Sequence, residues 1–453
     1  MGAATAERDG RTAAADAAGR GAPEPRLTEQ HLRECHGCGL FQMMPAMPPG
    51  AVARCARCNG TLRRTRKDPL GAPLAFNLGG LVLFCIALTT TMMTLDSSGL
   101  KLDASLLSGP RDLQSDGMWE LAVVVLLTSV AAPLAKLSGM IYVLLGLRLR
   151  RAPRHLRQVF GWMERVRPWA MVEVYMLGII VAYTKMVDMA QVHIGPGLYA
   201  LAGVMVLMSA GDVALDRDAV WEEMEHRGLA DPEDVGGRLD PATAAFRGAV
   251  GCECCGLVSI PASEHAHCRR CGAGLEHRKP QSLQRSWAFL IAAVVMYVPA
   301  NYFPVMTIIS LGVGEPSTIL GGVEELIDSN MWPLAALVFF ASITVPVLKI
   351  ISMVILLITT RAGTPGRLRD RTTLYRIVDA VGRWSMIDVF MISILVALVR
   401  FGALITIEPG IGAMAFASVV ILTMFAAESF DPRLMWDNAQ TRAANETAKV
   451  SHA

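Results

Sequence analysis

The sequence has little charge for its length. Of its 453 residues only 18% are Asp, Glu, Lys or Arg, whereas 53% are hydrophobic, and the formal net charge is +2. A soluble protein of this length needs far fewer apolar residues to build its core, so the composition predicts a membrane protein. The small net charge argues against a nucleic-acid-binding protein, which presents a large basic surface.

Several motifs are also absent. Residues 1–34 contain no apolar segment typical of a signal peptide or a membrane span, so 1–30 are predicted to be a disordered cytosolic tail. No G-x-x-x-x-G-K-[ST] loop occurs, which argues against coupling to nucleotide hydrolysis through that motif. The apolar stretches carry no histidine pairs that would bind haem. These absences argue against a membrane redox enzyme, and we expect no enzymatic activity.

Apolar stretches long enough to cross about 30 Å of hydrocarbon are abundant. They predict an all-α polytopic membrane protein with two tandem four-helix modules. The predicted spans lie at about residues 74–95, 119–147, 169–190, 197–215, 286–311, 332–360, 384–404 and 410–430.

The second four spans repeat the first four, which indicates an internal duplication. Because four spans return the chain to its starting side, the two copies are parallel repeats. Equivalent residues are Trp119, Pro133 and Lys136 with Trp332, Pro346 and Lys349 at a shift of 213, and Trp169, Met171, Glu173, Lys185 and Trp221 with Trp384, Met386, Asp388, Arg400 and Trp436 at a shift of 215.

Arginines are concentrated in two of the connecting segments. Segment 148–168 holds seven and segment 361–383 holds six, whereas 96–118 and 312–331 together hold two basic residues. Positive residues stay on the cytoplasmic side during insertion, so both termini, the cysteine segments and the arginine segments are predicted to be cytosolic. Segment 312–331 faces outward, and its sequence "STILGGVEELID" is compatible with a short amphipathic helix or with a solvated loop.

Eight of the ten cysteines form two patterns typical of zinc ribbons. Each pattern contains two Cys-x2-Cys pairs, which supply the four thiolates that structural Zn²⁺ prefers, so we predict two structural zinc ions. Redox-active dithiols and iron are the alternatives. Cys254 is not a predicted ligand, because "CECCGL" aligns with "CHGCGL". The predicted ligands are Cys35, Cys38, Cys55 and Cys58 in the first ribbon and Cys252, Cys255, Cys268 and Cys271 in the second.

These features divide the chain into seven segments. The predicted segments are a cytosolic tail at 1–30, a zinc ribbon at 31–66, a membrane module at 67–215, a linker at 216–250, a second ribbon at 251–278, a second module at 279–431 and a cytosolic tail at 432–453.

The fifth predicted span contains two prolines around an asparagine. Pro299, Asn301 and Pro304 lie in "YVPANYFPVM", and each proline removes a backbone donor from a helix. Such breaks are tolerated in membranes where protein or a water-filled cavity satisfies the freed carbonyls. We therefore predict a broken helix that lines a transport path, with a packed structural kink as the alternative.

Two lysines lie deep within predicted spans. A lysine near the middle of a bilayer costs about 2.5–3.5 kcal/mol on insertion scales, so Lys349 requires a partner. Asp388 on the next span is the predicted partner, and Lys136 with Glu173 is the equivalent pair in the first module. Arg400 is assigned to the same polar network. The pairs are either architectural or part of a proton or lipid-headgroup site.

The order of these motifs resembles the paraquat-inducible protein A family, which includes the LetA proteins. The resemblance rests on the doubled ribbons, "PANYFP" at 299–304, Pro346-x-x-Lys349 and "SFDPRLMWD" at 429–437. The first module departs from it by lacking the proline signature. The resemblance implies a bacterial inner-membrane protein that works with a periplasmic MCE-domain partner, whose rings form a tunnel for lipids.

Two functions are therefore compared. The first is a component that passes membrane lipid between the inner membrane and the MCE tunnel. The second is an ion-coupled small-molecule exporter that acts alone. A requirement for the periplasmic partner distinguishes the two functions.

The arginine asymmetry generates a topology prediction. In a background without competing cysteines, Gln114→Cys and Glu324→Cys should react with an impermeant thiol reagent added from the periplasm. Arg154→Cys and Arg369→Cys should react only after the membrane is permeabilised, because their segments are cytosolic. Labelling of Arg154→Cys in intact cells would contradict this orientation.

Overall fold

The computed structural model contains the predicted eight membrane spans. Two of them begin earlier than predicted, at Leu156 and Leu368, because the arginine segments before them are helical. Within the described residues, the helices long and apolar enough to cross a membrane are Gly71–Thr89, Trp119–Gly146, Leu156–Thr184, Pro196–Ala214, Ser282–Tyr302, Ala335–Arg361, Leu368–Ala397 and Ile411–Ser429, here called spans 1–8.

The predicted tail 1–30 and Arg400 lie outside the described part of the chain. That part comprises residues 31–45, 47–97, 100–186, 191–230, 241–263, 266–310, 313–328, 330–398 and 405–451.

The helices and strands of these residues follow the same order in the two halves. The α-helices are α1 (Gly71–Thr89), α2 (Ser108–Ser115), α3 (Trp119–Leu126), α4 (Ala132–Gly146), α5 (Leu156–Val166), α6 (Val172–Met186), α7 (Pro196–Ala214), α8 (Arg217–His226), α9 (Pro241–Phe246), α10 (Ser282–Tyr302), α11 (Ile319–Asp328), α12 (Trp332–Phe339), α13 (Val345–Arg361), α14 (Leu368–Gly382), α15 (Ile387–Leu398), α16 (Ile411–Ser429) and α17 (Arg433–Ser451). The strands are β1 (His31–Glu34), β2 (Phe41–Met44), β3 (Val52–Arg54), β4 (Thr61–Arg64), β5 (Met93–Ser97), β6 (Leu100–Ala104), β7 (Gln191–Ile194), β8 (Val250–Gly251), β9 (Val258–Ser259), β10 (Met306–Ser310), β11 (Val313–Ser317) and β12 (Ile405–Pro409).

The two ribbons and the two three-stranded sheets lie at opposite ends of the spans. Strands β1–β4, β8 and β9 belong to the cysteine segments and define the ribbon end. At the other end, the sheet end, three antiparallel strands pair in the order β6-β5-β7 in the first module and β11-β10-β12 in the second. In both modules the central strand follows the first span and the last strand precedes the fourth. The duplication is therefore present in the topology as well as in the sequence.

The segments at the sheet end form strands and helices rather than irregular loops. The β-branched residues of "MTIIS" and "ITIEP" favour strands β10 and β12, which pair along their full lengths. The amphipathic helix predicted within "STILGGVEELID" is confirmed as α11. Val323 and Leu326 are buried on one face of this helix, whereas Glu324 and Glu325 are exposed on the other.

A wide helical turn precedes the equivalent prolines of spans 2 and 6. Residues Leu127–Ala131 and Phe340–Thr344 form π-helical turns, and Pro133 and Pro346 each follow after one intervening residue. A proline ring clashes with the carbonyl four residues earlier in a regular α-helix. The extra residue in the turn makes room for the ring, so each span continues through its proline.

Spans 3 and 7 pack against each other at the centre of the molecule. Gly178 on α6 permits a close approach, since an added Cβ would lie 3.0 Å from the Cβ of Phe390. The rings of Tyr175 and Phe390 meet edge to face with centroids 5.2 Å apart. The central seam between the modules is therefore apolar and tightly packed.

The two ribbons pack in a crossed arrangement. The four thiols of the first ribbon share a hydrophobic cluster with Val378 and Trp436, which belong to the second half of the chain. The thiols of the second ribbon share a cluster with Phe160 and Trp221, which belong to the first half. Each ribbon thus covers the spans of the other half, which links the duplicated halves at the ribbon end.

A buried arginine joins both ribbons to the end of span 8. Arg433 donates to Glu34 of the first ribbon at 3.3 Å, to Glu253 of the second at 2.7 Å and to Asp431 at 3.0 Å. Glu34 also accepts a hydrogen bond from the backbone N–H of Gly251 at 2.7 Å. Burial raises the pKa of Glu34, while Arg433 acts in the opposite direction. The "SFDPRLMWD" motif therefore holds the ribbon end together.

Segment 216–250 also takes part in this junction. Asp216 caps α8 by accepting from the N–H groups of Asp218 and Ala219. Arg63 of the first ribbon pairs with Glu222 at 2.6 Å, and Arg33 pairs with Asp218. The described start of the predicted linker is therefore an interface helix.

The junction generates a stability prediction. Arg433→Met should destabilise ribbon docking by about 3–5 kcal/mol, because it leaves buried carboxylates without their guanidinium. Arg442→Met is the matched control on α17, since Arg442 is exposed and its contacts, the ion pair with exposed Glu446 and a hydrogen bond to the exposed Ala362 carbonyl at 2.8 Å, should together cost under about 2 kcal/mol. Limited proteolysis at the ribbon end measures the difference. Equal protease resistance of both variants would contradict the junction's role.

Candidate metal centres and inter-module cavity

The first ribbon brings its four predicted cysteines into one buried group. Cys35, Cys38, Cys55 and Cys58 are each less than 4% exposed, and their sulfurs all lie within 4.8 Å of one another. The Sγ atoms of Cys35 and Cys58 are 3.5 Å apart, and those of Cys38 and Cys55 are 3.6 Å apart. Sequence spacing alone therefore identified this group.

The second ribbon repeats the arrangement with Cys252, Cys255, Cys268 and Cys271. Their sulfurs also lie within 4.8 Å of one another, with the closest pairs at 3.4 and 3.5 Å. Cys254 is not a member of this group, as predicted from the alignment of the two ribbons.

A left-handed residue closes each Cys-x2-Cys turn. Gly39, Asn59, Gly256 and Gly272 follow the second cysteine of their pairs and have φ values of 71°, 58°, 71° and 76°. Each donates its N–H to the carbonyl of the first cysteine in the pair. Glycine and asparagine adopt this conformation at low cost. The turns therefore direct both sulfurs of a pair to the same side.

The donor sets fit a tetrahedral metal ion. Sulfurs about 2.3 Å from Zn²⁺ form a tetrahedron with edges of about 3.8 Å, close to the S···S distances in both ribbons. Hydrogen bonds shared among the thiols lower the pKa of Cys58 and raise the pKa of Cys35, so the group stabilises one thiolate even before a metal binds. Thiolate is the form that binds metal. Either group can hold one metal ion, with the four thiolates closing its coordination.

A charged cavity of about 430 Å³ lies between the two modules near the ribbon end. Its lining includes the indole of Trp169, which packs on Phe425 of the second module with ring centroids 5.9 Å apart. This inter-module cavity is lined by charged side chains from both halves, namely Lys136, Glu164, Arg167, Glu173, Asp212, Arg217, Asp379 and Glu428.

Lys136 has a different partner from the one predicted. Its Nζ donates to Asp212 Oδ2 at 2.7 Å, and Arg167 lies 3.6 Å from the same oxygen. Glu173 instead accepts a hydrogen bond from Ser209 at 2.5 Å. The direct Lys136–Glu173 pair is therefore wrong, because α7 presents Asp212 to Lys136 while Ser209 engages Glu173. All of these groups except Ser209 line the inter-module cavity.

Lys349 is 3% exposed and donates to Thr423 Oγ1 at 2.9 Å. Gly382 lies beside the lysine amine, since an added Cβ would make an ordinary contact with Nζ at 3.4 Å. Asp379, one turn earlier on α14, is the carboxylate whose charge acts on Lys349. The Asp388 side chain lies outside the described residues, so its pairing with Lys349 stays a prediction.

The predicted break in span 5 is a helix end. Helix α10 continues through Pro299 to Tyr302, and Asn301 Nδ2 donates to the Tyr297 carbonyl at 2.9 Å. Pro299 lies in the last turn, where few hydrogen bonds remain to be lost, and Pro304 follows the helix before β10 begins. These residues lie at the sheet end, away from the inter-module cavity. The prediction that Pro299 breaks the span internally is wrong, whereas the prediction that these residues line a transport path stays a prediction.

Sequence reasoning missed several residues of the cavity and of the surroundings of the buried lysines. Glu164 and Asp379 are equivalent at a shift of 215, so the duplication itself carried a signal for them. Asp212 and Thr423 carried no such signal, because their equivalents are Ala427 and Met208. Each module supplies its lysine with a different kind of partner.

A known protein family matches the chain twice, once in each duplicated half. The family model described as "Paraquat-inducible protein A" matches residues 70–225 and, separately, residues 283–440. These two matches span both membrane modules and cover more than half of the chain.

The chain belongs to the paraquat-inducible protein A family.

Curated relatives cover nearly the whole chain. Intermembrane transport protein PqiA of Escherichia coli is 33% identical over 405 residues, which are 89% of this chain and 95% of the relative. Lipophilic envelope-spanning tunnel protein A of Escherichia coli is 31% identical over 411 residues, 91% and 92% of the two chains. A probable intermembrane transport protein of Haemophilus influenzae is 27% identical over 423 residues, 91% and 98% of the two chains. No solved structure matches the chain.

The cysteine geometry generates a metal prediction for this family member. The purified protein should contain about two zinc ions per chain by elemental mass spectrometry, and Cys255→Ser or Cys268→Ser should each lose one. Structural zinc contributes about 10–16 kcal/mol in small peptides, so the affected ribbon should unfold locally. Cys254→Ser is the matched control and should keep both ions. Iron with reversible reduction would contradict the zinc assignment.

Proposed function

We propose that this protein is the inner-membrane component of a lipid-transport system. In this proposal it passes lipids between the inner membrane and a periplasmic tunnel of MCE-domain proteins. Family membership supports the proposal, and so do the relatives named intermembrane transport protein and envelope-spanning tunnel protein. The ribbon end, both termini and the arginine segments lie in the cytosol, and the sheet end faces the partner.

The observation that carries the proposal is the charged cavity between the modules. Among the described residues, three cations line this cavity. Lys136 is buried, with 5% of its surface exposed, and Arg167 and Arg217 are partly exposed. Isolated charges are costly within a membrane, and those that occur mark substrate or proton paths. Lys136 and Arg167 share one carboxylate, Asp212, so they retain donors for the phosphate of a lipid headgroup, and the other carboxylates of the cavity suit proton transfer.

In this proposal the ribbons are structural and the protein is not an enzyme. A set of four thiolates closes the coordination of Zn²⁺ and leaves no position for a catalytic water. Zinc also has no redox chemistry. The two ions would be bound by the eight cysteines described above, and their contribution would be to fold the ribbons that tie the modules together.

An ion-coupled exporter acting alone is the alternative function. The buried lysines and cavity carboxylates are compatible with it. Deletion of the co-encoded periplasmic MCE protein distinguishes the two, because an exporter keeps its activity without this partner, whereas a lipid-transport component loses it.

Bound lipid provides a direct test of the cavity. Mass spectrometry of the protein purified in mild detergent should detect phospholipid, and Lys136→Met should weaken its retention about tenfold. A hydrogen bond to a charged group contributes about 1.5–3 kcal/mol, which sets this expectation. Lys449→Met is the matched control, because Lys449 is exposed on α17 away from the cavity.

Three further outcomes bear on the proposal. Pro304→Ala changes the end of span 5 at the sheet end and should leave lipid retention unchanged. Lipid held equally by the wild type and Lys136→Met would argue against headgroup binding in the cavity. A folded protein that retains no specific lipid would favour the exporter.

A further inference from the structure

The two ribbons are held against the spans by different contacts, and the difference centres on Arg376. This residue lies on α14, the helix that also carries Asp379 into the inter-module cavity. Its Nη2 donates to the Cys58 sulfur at 3.1 Å, and its Nη1 donates to the Cys58 carbonyl at 3.4 Å. One guanidinium thus contacts both the sulfur and the backbone of a predicted metal ligand.

Two glycines of the first ribbon make room for this guanidinium. A Cβ added to Gly37 would lie 2.9 Å from Arg376 Nη2, and a Cβ added to Gly60 would contact the same atom even more closely. Any larger residue at either position would displace the guanidinium from the Cys58 sulfur. Gly37 immediately precedes Cys38 and Gly60 lies two residues after Cys58, so the space is part of the ribbon itself.

In the second ribbon the residues at these positions are larger, and the helix residue that faces them is smaller. Aligning the ribbons places Cys254 at the position of Gly37 and Ala273 at the position of Gly60. At the position of Arg376 the first module has Gly161, whose added Cβ would lie 3.6 Å from Cys254 Sγ. The large residue is therefore on the helix in one interface and on the ribbon in the other.

We propose that Arg376 is an outer-sphere partner of the first metal group and assigns the first ribbon to the second module. A divalent ion bound by four thiolates carries a net charge of −2, and a hydrogen-bonding cation in contact with one sulfur offsets part of it. The second ribbon could not make this contact under α14, because the Cβ atoms of Cys254 and Ala273 would displace the guanidinium. The contact explains the crossed docking and joins the metal group to the helix of Asp379.

This inference rests on the metal proposed above for the first ribbon, and its test follows each ribbon separately. Metal release exposes the cysteines, so we would measure their alkylation rates in the full-length protein in the presence of a chelator. Peptide mass spectrometry resolves the cysteines of one ribbon from those of the other. The metal content of the unmodified protein is measured first.

Arg376→Met should accelerate alkylation of the first ribbon about 10- to 100-fold, the range for loss of an outer-sphere partner, and leave the second ribbon at the wild-type rate. Arg376→Lys should give a smaller increase, because a lysine keeps the positive charge but cannot contact the sulfur and the carbonyl together. Arg369→Met is the matched control on α14. Arg369 donates to the Arg57 carbonyl of the same ribbon at 2.7 Å but does not contact the Cys58 sulfur, so its change should be about two- to tenfold and smaller than that of Arg376→Met.

Gly60→Ala distinguishes this role from general destabilisation. It should accelerate alkylation of the first ribbon as Arg376→Met does. In the Arg376→Met background it should cause no further increase, because there is no guanidinium to displace. Wild-type rates in Arg376→Met, equal acceleration of both ribbons, or full additivity of the two substitutions would each overturn the inference. A first ribbon without metal in the wild type would overturn the metal proposal as well.

Discussion

A charge inside an apolar body must have a partner, and this constraint shapes the protein from the membrane core to the ribbons. Lys136 is held by Asp212, Lys349 by Thr423, and Arg433 by carboxylates from three segments of the chain. Breaking such a pair costs more than forming it gains. The positions of α7, α14, α16 and both ribbons relative to one another follow from satisfying these groups.

Much of the fold was predictable from the sequence because it depends on local spacing and on repetition. The eight spans follow from the lengths of apolar stretches, and the cysteine groups follow from the Cys-x2-Cys pairs. The partners of Lys136 and Lys349 were not predictable, because they depend on the rotation of each helix about its axis. Pro299 gave an ambiguous signal, since the same prolines occur in a broken span and near a helix end.

The crossed docking of the ribbons was also invisible to sequence reasoning. Duplicated halves give nearly equal local signals, so each ribbon had two compatible docking surfaces. The distinction lies in residues that are small in one copy and large in the other, such as Gly37 against Cys254 and Arg376 against Gly161. Divergence of the copies also separates the lysine partners, with a carboxylate in the first module and a hydroxyl in the second.

The crossing also sets the order in which the molecule can be assembled. The first ribbon is synthesised before any span, yet Trp436, against which it packs, follows Cys58 by about 380 residues. At roughly 5–20 residues per second, translation of that interval takes about 20–80 s. During this time the nascent first ribbon lacks its final surface and must persist beside the ribosome. Docking of the first ribbon is therefore the last step of assembly. It can occur only after the helix that carries Trp436 has been synthesised.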